Sequence, residues 1–457
     1  MKHPYRPLLL SVLLLAGANA REAYAQDQPI TTSAASFLRV APDARGAGMG
    51  DAGAATPGDV NAAYWNPAKL VFVPGGKGVS LSYAPWLRQA AANMWISQVS
   101  GFFMPGRNQA VGFSLIYFNQ GNVSLRDMNR QRTGDFNPRE FALSGSYALK
   151  LSEYASVAAS LRYLYSNLAG TAAGLDGSPA HAVSGDVGAY FQSDPGELRR
   201  VNVAFGTTLS NLGTRLNYGT SDRYFQPTNL RVGTGVTYRF GEEGRLTFAL
   251  DANKLMLPSR PVYDFSAVGP PVLVRGRNPD RGYFSSVFGS FSDSPDGLGG
   301  ELKELGVAGG VEFWPNQYLA LRSGYFRESV REGDRRYFTA GVGIRYNGLG
   351  LDASYLVPQQ QNHPLAETVR LTLSLTPAPQ ASRNALVYSG SRNAGRSYGG
   401  FRQGSRRSNV ARAGHRRHQM SIYRKNQAGR YTKGLRKQQT QRERRTRHNI
   451  RKTKYRR

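Results

Sequence analysis

The chain has 457 residues, no cysteine, and 59 Lys and Arg against 30 Asp and Glu, for a formal net charge of +29. Zero Cys excludes thiolate metal centres and any disulfide framework. A hydrophobic content of 40% and a mean hydropathy of −0.45 exclude a bundle of transmembrane helices. The charge is unevenly placed: residues 381–457 hold 24 Lys and Arg against the single acid Glu443, a net +23, which leaves only +6 on the first 380. The chain is therefore a nearly balanced body carrying a polycationic tail, long enough for one large barrel or two to three ordinary domains.

The first 25 residues read as an export signal. Lys2, His3 and Arg6 precede the apolar run Leu8 to Ala16, which has the length of a signal core and is too short to span a bilayer. Two small-x-small sites follow, Ala18-Asn19-Ala20 and Ala23-Tyr24-Ala25, so cleavage is expected after residue 20 or 25. Beyond them no apolar, uncharged stretch reaches the ~18 residues of a transmembrane helix.

Residues 26–78 are rich in Gly and Ala, carry Asp43, Arg45, Asp51 and Asp59, and lack long alternation. The segment is too long for a linker and too short for a domain. It is expected to fold into a barrel lumen as a hatch or plug. Within it, 31–73 should pair with inward charges such as Arg162 and Arg345. Gly48-Met49-Gly50-Asp51-Ala52-Gly53 matches G-x-G-x-x-G, but nothing around it suggests the βαβ unit that a dinucleotide site needs. A tight plug turn is the expectation.

From 79 to 376 the hydrophobic pattern has period two, as in Val79-Ser80-Leu81-Ser82-Tyr83 and Val369-Arg370-Leu371-Thr372-Leu373-Ser374-Leu375. Successive strand side chains face opposite sides, so one face is apolar and the other polar. The fold class expected is all-β: a fourteen-stranded antiparallel transmembrane β-barrel with an N-terminal plug and a disordered basic C-terminal tail over 377–457. Gap lengths carry the argument for a barrel. Long gaps at 119–139, 166–181, 211–229, 255–304, 327–336 and 357–367 alternate with mostly short ones, among them Met104 to Asn108, Lys150 to Glu153 and Asn347-Gly348. Outer-membrane barrels pair short periplasmic turns with long outer loops in this way. The short gap 88–93 is the exception, and the apolar run Phe284 to Phe291 is assigned to a loop rather than to a fifteenth strand.

Charges obey the alternation. Arg162, Asp186, Arg231, Arg239, Asp251, Glu312, Arg322, Arg345, Asp352 and Arg370 fall on the polar parity, whereas Tyr83, Tyr117, Tyr147, Tyr163, Tyr238, Tyr325, Tyr346 and Tyr355 fall on the apolar one. An outward mid-strand Arg or Lys would cost about 2–4 kcal/mol, and tyrosines near strand ends suit the aromatic girdle at a lipid interface. Ordinary β-propensity is the alternative account of the tyrosines.

No catalytic constellation appears. The six histidines make neither a helical H-E-x-x-H nor a triad spacing, and His415 and His418 belong to the tail. No enzyme activity, metal or cofactor is expected. The candidate partner-binding residues are aromatics and prolines of the loops: Trp86, Tyr224 and Phe225 before Pro227, then Tyr263 and Phe265. Exposed loop aromatics suit protein partners, with loop self-packing as the alternative. The tail after Ala381 cannot bury enough apolar area to order itself. An even strand count returns it to the periplasm, so no nucleic acid is expected as a partner. Anionic envelope polymer or acidic protein surfaces suit it better.

Two N-terminal motifs carry a resemblance. They are Ser36-Phe37-Leu38-Arg39-Val40-Ala41-Pro42-Asp43-Ala44-Arg45-Gly46-Ala47-Gly48-Met49-Gly50-Asp51 and Tyr64-Trp65-Asn66-Pro67-Ala68-Lys69-Leu70, with Pro227-Thr228-Asn229-Leu230-Arg231 and Asn362-His363-Pro364-Leu365-Ala366 further on. Over about 30–376 the sequence resembles the PorV family of Bacteroidota type IX secretion outer-membrane proteins, within the wider FadL-like barrels. The resemblance implies a hatch formed in part by Asp43, Arg45, Asn66, Pro67 and Ala68. It also implies partners: the translocon barrel, the C-terminal signal domains of secreted cargo, an attachment complex with a sortase-like protein, and outer-membrane lipid. The tail departs from the family pattern. Two functions follow as expectations: a secretion carrier acting through its outer loops, or a FadL-type channel for hydrophobic small molecules. The polar lumen parity disfavours the channel.

Overall fold

The computed structural model describes residues 33–86, 93–126, 129–168, 178–195, 199–219, 222–241, 243–259, 262–264, 272–278, 281–329, 332–360, 365 and 368–377. The export segment, Phe265, His363, His415, His418 and the basic tail lie outside them, as does the side chain of Tyr263.

Fourteen antiparallel strands close into a barrel, each paired with its sequence neighbours. They are β1 (Lys77–Pro85), β2 (Met94–Gly106), β3 (Gln109–Gln120), β4 (Arg139–Lys150), β5 (Ala155–Asn167), β6 (Ala180–Gln192), β7 (Val201–Gly213), β8 (Asn229–Phe240), β9 (Gly244–Leu255), β10 (Leu305–Trp314), β11 (Leu319–Arg327), β12 (Arg336–Tyr346), β13 (Leu349–Pro358) and β14 (Val369–Leu375). Closure is made by β1 on β14, with Val79 opposite Leu375 and Tyr83 opposite Leu371. The expected fourteen strands are therefore all present. Two of the long loops carry hairpins of their own, Val123–Arg126 with Arg132–Phe136 and Val262–Asp264 with Val272–Arg275. The run Phe284 to Phe291 makes no strand: it contains most of the helix Tyr283–Gly289. A short apolar run does not by itself distinguish helix from strand.

Side-chain alternation follows the sequence parity. The outward row of β1 is Val79, Leu81 and Tyr83, all exposed, while Ser80, Ser82 and Ala84 are buried. The outward residues of the other strands are likewise mostly apolar, which is stable only against hydrocarbon. Aromatic rings gather at both ends of this band. At the long-loop end, Trp95 lies 6.0 Å from Tyr83 and 5.3 Å from Tyr117, and Tyr325 lies 4.8 Å from Phe338. At the short-turn end, Phe240 lies 6.4 Å from Tyr238 and 5.9 Å from Phe313. Asn347 and Gly348, both at positive φ (48° and 82°), make the two-residue turn between β12 and β13 that Asn-Gly favours.

This face can be tested directly. Leu161 is 66% exposed in the middle of β5. Leu161→Arg should lower the stability of the vesicle-inserted barrel by about 2–4 kcal/mol in denaturant titration. Leu161→Met should lie close to the unmodified protein. Equal midpoints for the two variants would show that this face does not meet lipid.

Candidate functional site

The lumen is filled by residues 33–76. The segment winds through a 3-10 turn (Ser36–Arg39), a short helix (Ala44–Gly48), a second (Ala62–Trp65) and a 3-10 stretch (Pro67–Phe72). Short turns of this kind leave many backbone groups without partners inside the segment. The barrel wall supplies those partners.

Asp43 caps the first helix, accepting from Gly46 N at 2.8 Å and from Trp65 Nε1 at 2.6 Å. Burial, reinforced by the charge of Asp59, pushes its carboxyl up to about 6. Trp65 stands between Gly46 and Gly53, where any Cβ would collide with the indole. The wall completes the turn: Asp251 Oδ2 accepts from Gly53 N at 2.7 Å and Ala54 N at 2.8 Å, Thr339 bonds Gly50 N at 3.0 Å, and Thr372 bonds Ala44 N at 2.9 Å. Gly50, at φ +66°, fits because a side chain there would strike the backbone of Tyr325. The glycine-rich motif is thus a plug turn packed on the wall, and wall glycines such as Gly206, Gly235, Gly310 and Gly324 leave it room.

Arg45 is the main electrostatic tie. Its guanidinium grips Glu312 of β10 with two bonds of 2.8 and 2.9 Å and reaches Asp59 at 2.9 Å. Arg322 bonds the same Glu312 at 2.8 Å and Asp352 at 2.8 Å, and Arg345 bonds Asp352 at 2.6 Å. Charges therefore alternate from plug to wall along five side chains. Near the long-loop end Arg39 bonds Glu328 at 2.7 Å, and Arg335 holds the same carboxylate at 2.6 Å.

The Asn66-Pro67-Ala68 tripeptide ties the plug to the opposite wall. Asn66 Nδ2 donates to Ala189 O at 2.9 Å and Ala54 O at 3.2 Å, and its Oδ1 accepts from Ala68 N at 3.1 Å. Pro67 begins the 3-10 stretch, where its missing N–H costs nothing, and Ala68 O accepts from Ser156 at 2.6 Å. Lys69, one step on, donates to Gly53 O at 2.5 Å and Thr56 at 3.1 Å, and burial lowers its ammonium to about 8.

Two expectations are corrected here. Arg162 does not meet the plug: it pairs with Asp186 at 2.8 Å on β6 and also bonds Ser144 and Asn211. Arg345 likewise pairs within the wall. Both arginines find a carboxylate on the adjacent strand, and the plug instead presents cations, Arg39 and Arg45, to acids of the barrel. Trp86 also departs from the loop set. It is only 7% exposed and turned inward, with Arg370 lying 5.5 Å from its ring.

The remaining loop residues diverge. Tyr224 is exposed, whereas Phe225 is half-buried, stacked on Tyr283 at 5.8 Å with Arg215 4.1 Å from its ring. Pro227 is buried, its carbonyl accepting from Asn211 at 3.0 Å. Phe284, Phe288, Leu298 and Leu302, none of them among the expected partner-binding residues, are more exposed than Tyr224. Their i, i+4 spacing was the available signal. The space left between plug and wall at this end is lined largely by polar groups, including Arg39, Asp51, Arg162, Asn211, Arg231 and Glu332.

Glu332 gives this rim a pH dependence. Burial and the charge of Glu328 push its carboxyl up to about 8, against the pull of Arg39. A carboxyl raised in the folded state stabilises it fully below its ordinary value of 4.5, and that contribution is lost as pH rises towards 8. Amide exchange at Arg39 and Val40, corrected for intrinsic rate, should therefore be faster at alkaline pH than at pH 6. Glu332→Gln should flatten the profile. An unchanged profile would show that Glu332 does not govern the rim.

A closed barrel with an apolar outer band, two aromatic girdles and a lumen plugged by its own N-terminal segment defines an outer-membrane protein of the plugged-barrel class. The PorV family, described as type IX secretion system protein PorV, matches residues 23–262, more than half of the chain, and the chain belongs to that family. It is thus an outer-membrane component of type IX secretion. Among solved structures it is similar to the toluene transporter TodX of Pseudomonas putida, at 12% identity over 76% of this chain and 98% of that one, with a TM-score of 0.44. It is also similar to the toluene transporter TbuX of Ralstonia pickettii (14%, 73%, 97%, TM-score 0.41) and to a Pseudomonas aeruginosa FadL homologue (13%, 76%, 99%, TM-score 0.39). No curated protein matches the chain.

Proposed function

We propose that this barrel is a cargo carrier: it binds the C-terminal signal domain of secreted proteins at the translocon barrel and delivers them to a cell-surface attachment complex with a sortase-like protein. The observation that carries the reading is the plug. It is fastened to β5, β6, β9, β10, β12 and β14, and among the described residues the space beside it is lined mostly by polar side chains, which disfavours a greasy path for a small molecule. Action then belongs to the outer surface. In this reading the long-loop end faces outward and the short turns face the periplasm. Tyr224, Phe284 and Phe288 supply exposed aromatic area for a protein partner.

Deleting the gene tests the reading. Cargo should accumulate in the periplasm with its C-terminal signal uncleaved, while uptake of long-chain fatty acids stays normal. Normal secretion with defective uptake would assign the protein to the importer class instead.

A further inference from the structure

The loop between β9 and β10 ends in the helix Gly297–Lys303, which is amphipathic in the sense opposite to that of a helix in water. Its acidic side is turned inward. Glu301 and the following Glu304 are buried, and Lys254 of β9 bonds Glu301 at 2.7 Å and also bonds Glu304. Glu301 Oε1 further accepts from the backbone N–H groups of Asp293 at 2.9 Å and Ser294 at 2.8 Å, and Ser259 donates to Glu304 at 3.0 Å. Its apolar side is turned outward: Leu298 is 82% exposed and Leu302 69%. A polar-in, apolar-out helix is unfavourable against water and favourable against hydrocarbon.

The next residues show what covers it. Leu305 opens β10, and Leu305 and Val307 belong to the outward, lipid-facing row of that strand. Leu298, Leu302, Leu305 and Val307 thus carry the lipid-facing row of the strand onto the helix. Exposed cations flank the row: Lys303 on the helix, and Arg327 of β11, the register partner of Val307. Cations beside an apolar stripe are the pattern of a segment lying at phosphate-bearing headgroups.

We propose that the helix Gly297–Lys303 is a lipid-docking element. Leu298 and Leu302 insert into the leaflet at the long-loop end, Lys303 and Arg327 meet headgroup phosphates, and the Lys254–Glu301–Glu304 cluster holds the helix against the barrel. The loop is then tethered to the membrane surface close to the barrel wall.

The absence of native cysteine makes the test clean. Leu298→Cys and Leu302→Cys, each carrying a nitroxide, are placed with Val307→Cys and the loop control Asp222→Cys in vesicles of phosphatidylethanolamine and phosphatidylglycerol. All four positions are exposed, and heat-modifiable mobility checks that each labelled barrel is folded. Collision with oxygen, relative to collision with a polar nickel chelate, should be high at positions 298 and 302, as at 307, and low at 222. Ratios at 298 and 302 equal to that at 222 overturn the proposal. Shielding from both reagents seen only in native membranes, with water-like ratios in vesicles, also overturns it and assigns the leucines to a protein partner.

Discussion

Replacing Arg45 with alanine is expected to unfasten the plug and let ions through the lumen. Arg45 is the one plug residue whose fork grips a fully buried wall carboxylate, Glu312, while its third nitrogen serves Asp59. Removing one member of a buried pair costs up to about 3–5 kcal/mol, less where a second partner remains. Arg322 still bonds Glu312, so the wall itself persists and the loss falls on the plug. Planar-bilayer conductance should rise towards that of a chain lacking 31–73, the upper limit for an emptied lumen. Arg45→Lys keeps the charge but loses the planar fork, and should fall between. Conductance at the unmodified level for Arg45→Ala would mean that the hydrogen bonds at Asp251, Thr339 and Ser156 suffice to hold the plug.

The second large effect is expected at Trp65. Its indole is 4% exposed, sits between Gly46 and Gly53, and donates to Asp43. Trp65→Ala removes the plug's largest packed ring and should cost about 3–5 kcal/mol. It also takes a donor from the Asp43 carboxylate. Gly53→Val should destabilise by a different route, because its methyls meet the ring from the other side. Both are checked by chemical denaturation in vesicles with a probe on the plug. A loss under about 1 kcal/mol for Trp65→Ala would show that the plug repacks around the gap, contrary to this account.

The barrel was legible because two independent sequence properties agree. Period-two alternation marked each strand, and the alternation of long and short gaps marked a membrane barrel. The plug was legible as a segment but not in its pairing. The partner of a wall arginine depends on strand register: Asp186 lies beside Arg162 and Asp352 beside Arg345 only once β5 is set against β6 and β12 against β13. Trp86 was open to a better reading, since it continues the inward row Ser80, Ser82, Ala84. Its place at the end of β1 suggested a loop, whereas the strand's parity carried on one residue further. In the loop before β10 the leucine spacing was visible, but its meaning required knowing that Glu301 and Glu304 turn inward to Lys254.

The partners of the plug also bear on the order of assembly. Ala44, Arg45, Gly50 and Asp51 bond Thr372, Glu312, Thr339 and Tyr337, residues separated from them by 267 to 328 positions. Contacts so distant in sequence form late, because the intervening chain must first be ordered. The N-terminal segment therefore gains these partners last, when β10 to β14 are made. An unfinished barrel lacks Glu312, Thr339 and Thr372, so the plug is fully fastened only once the wall is complete.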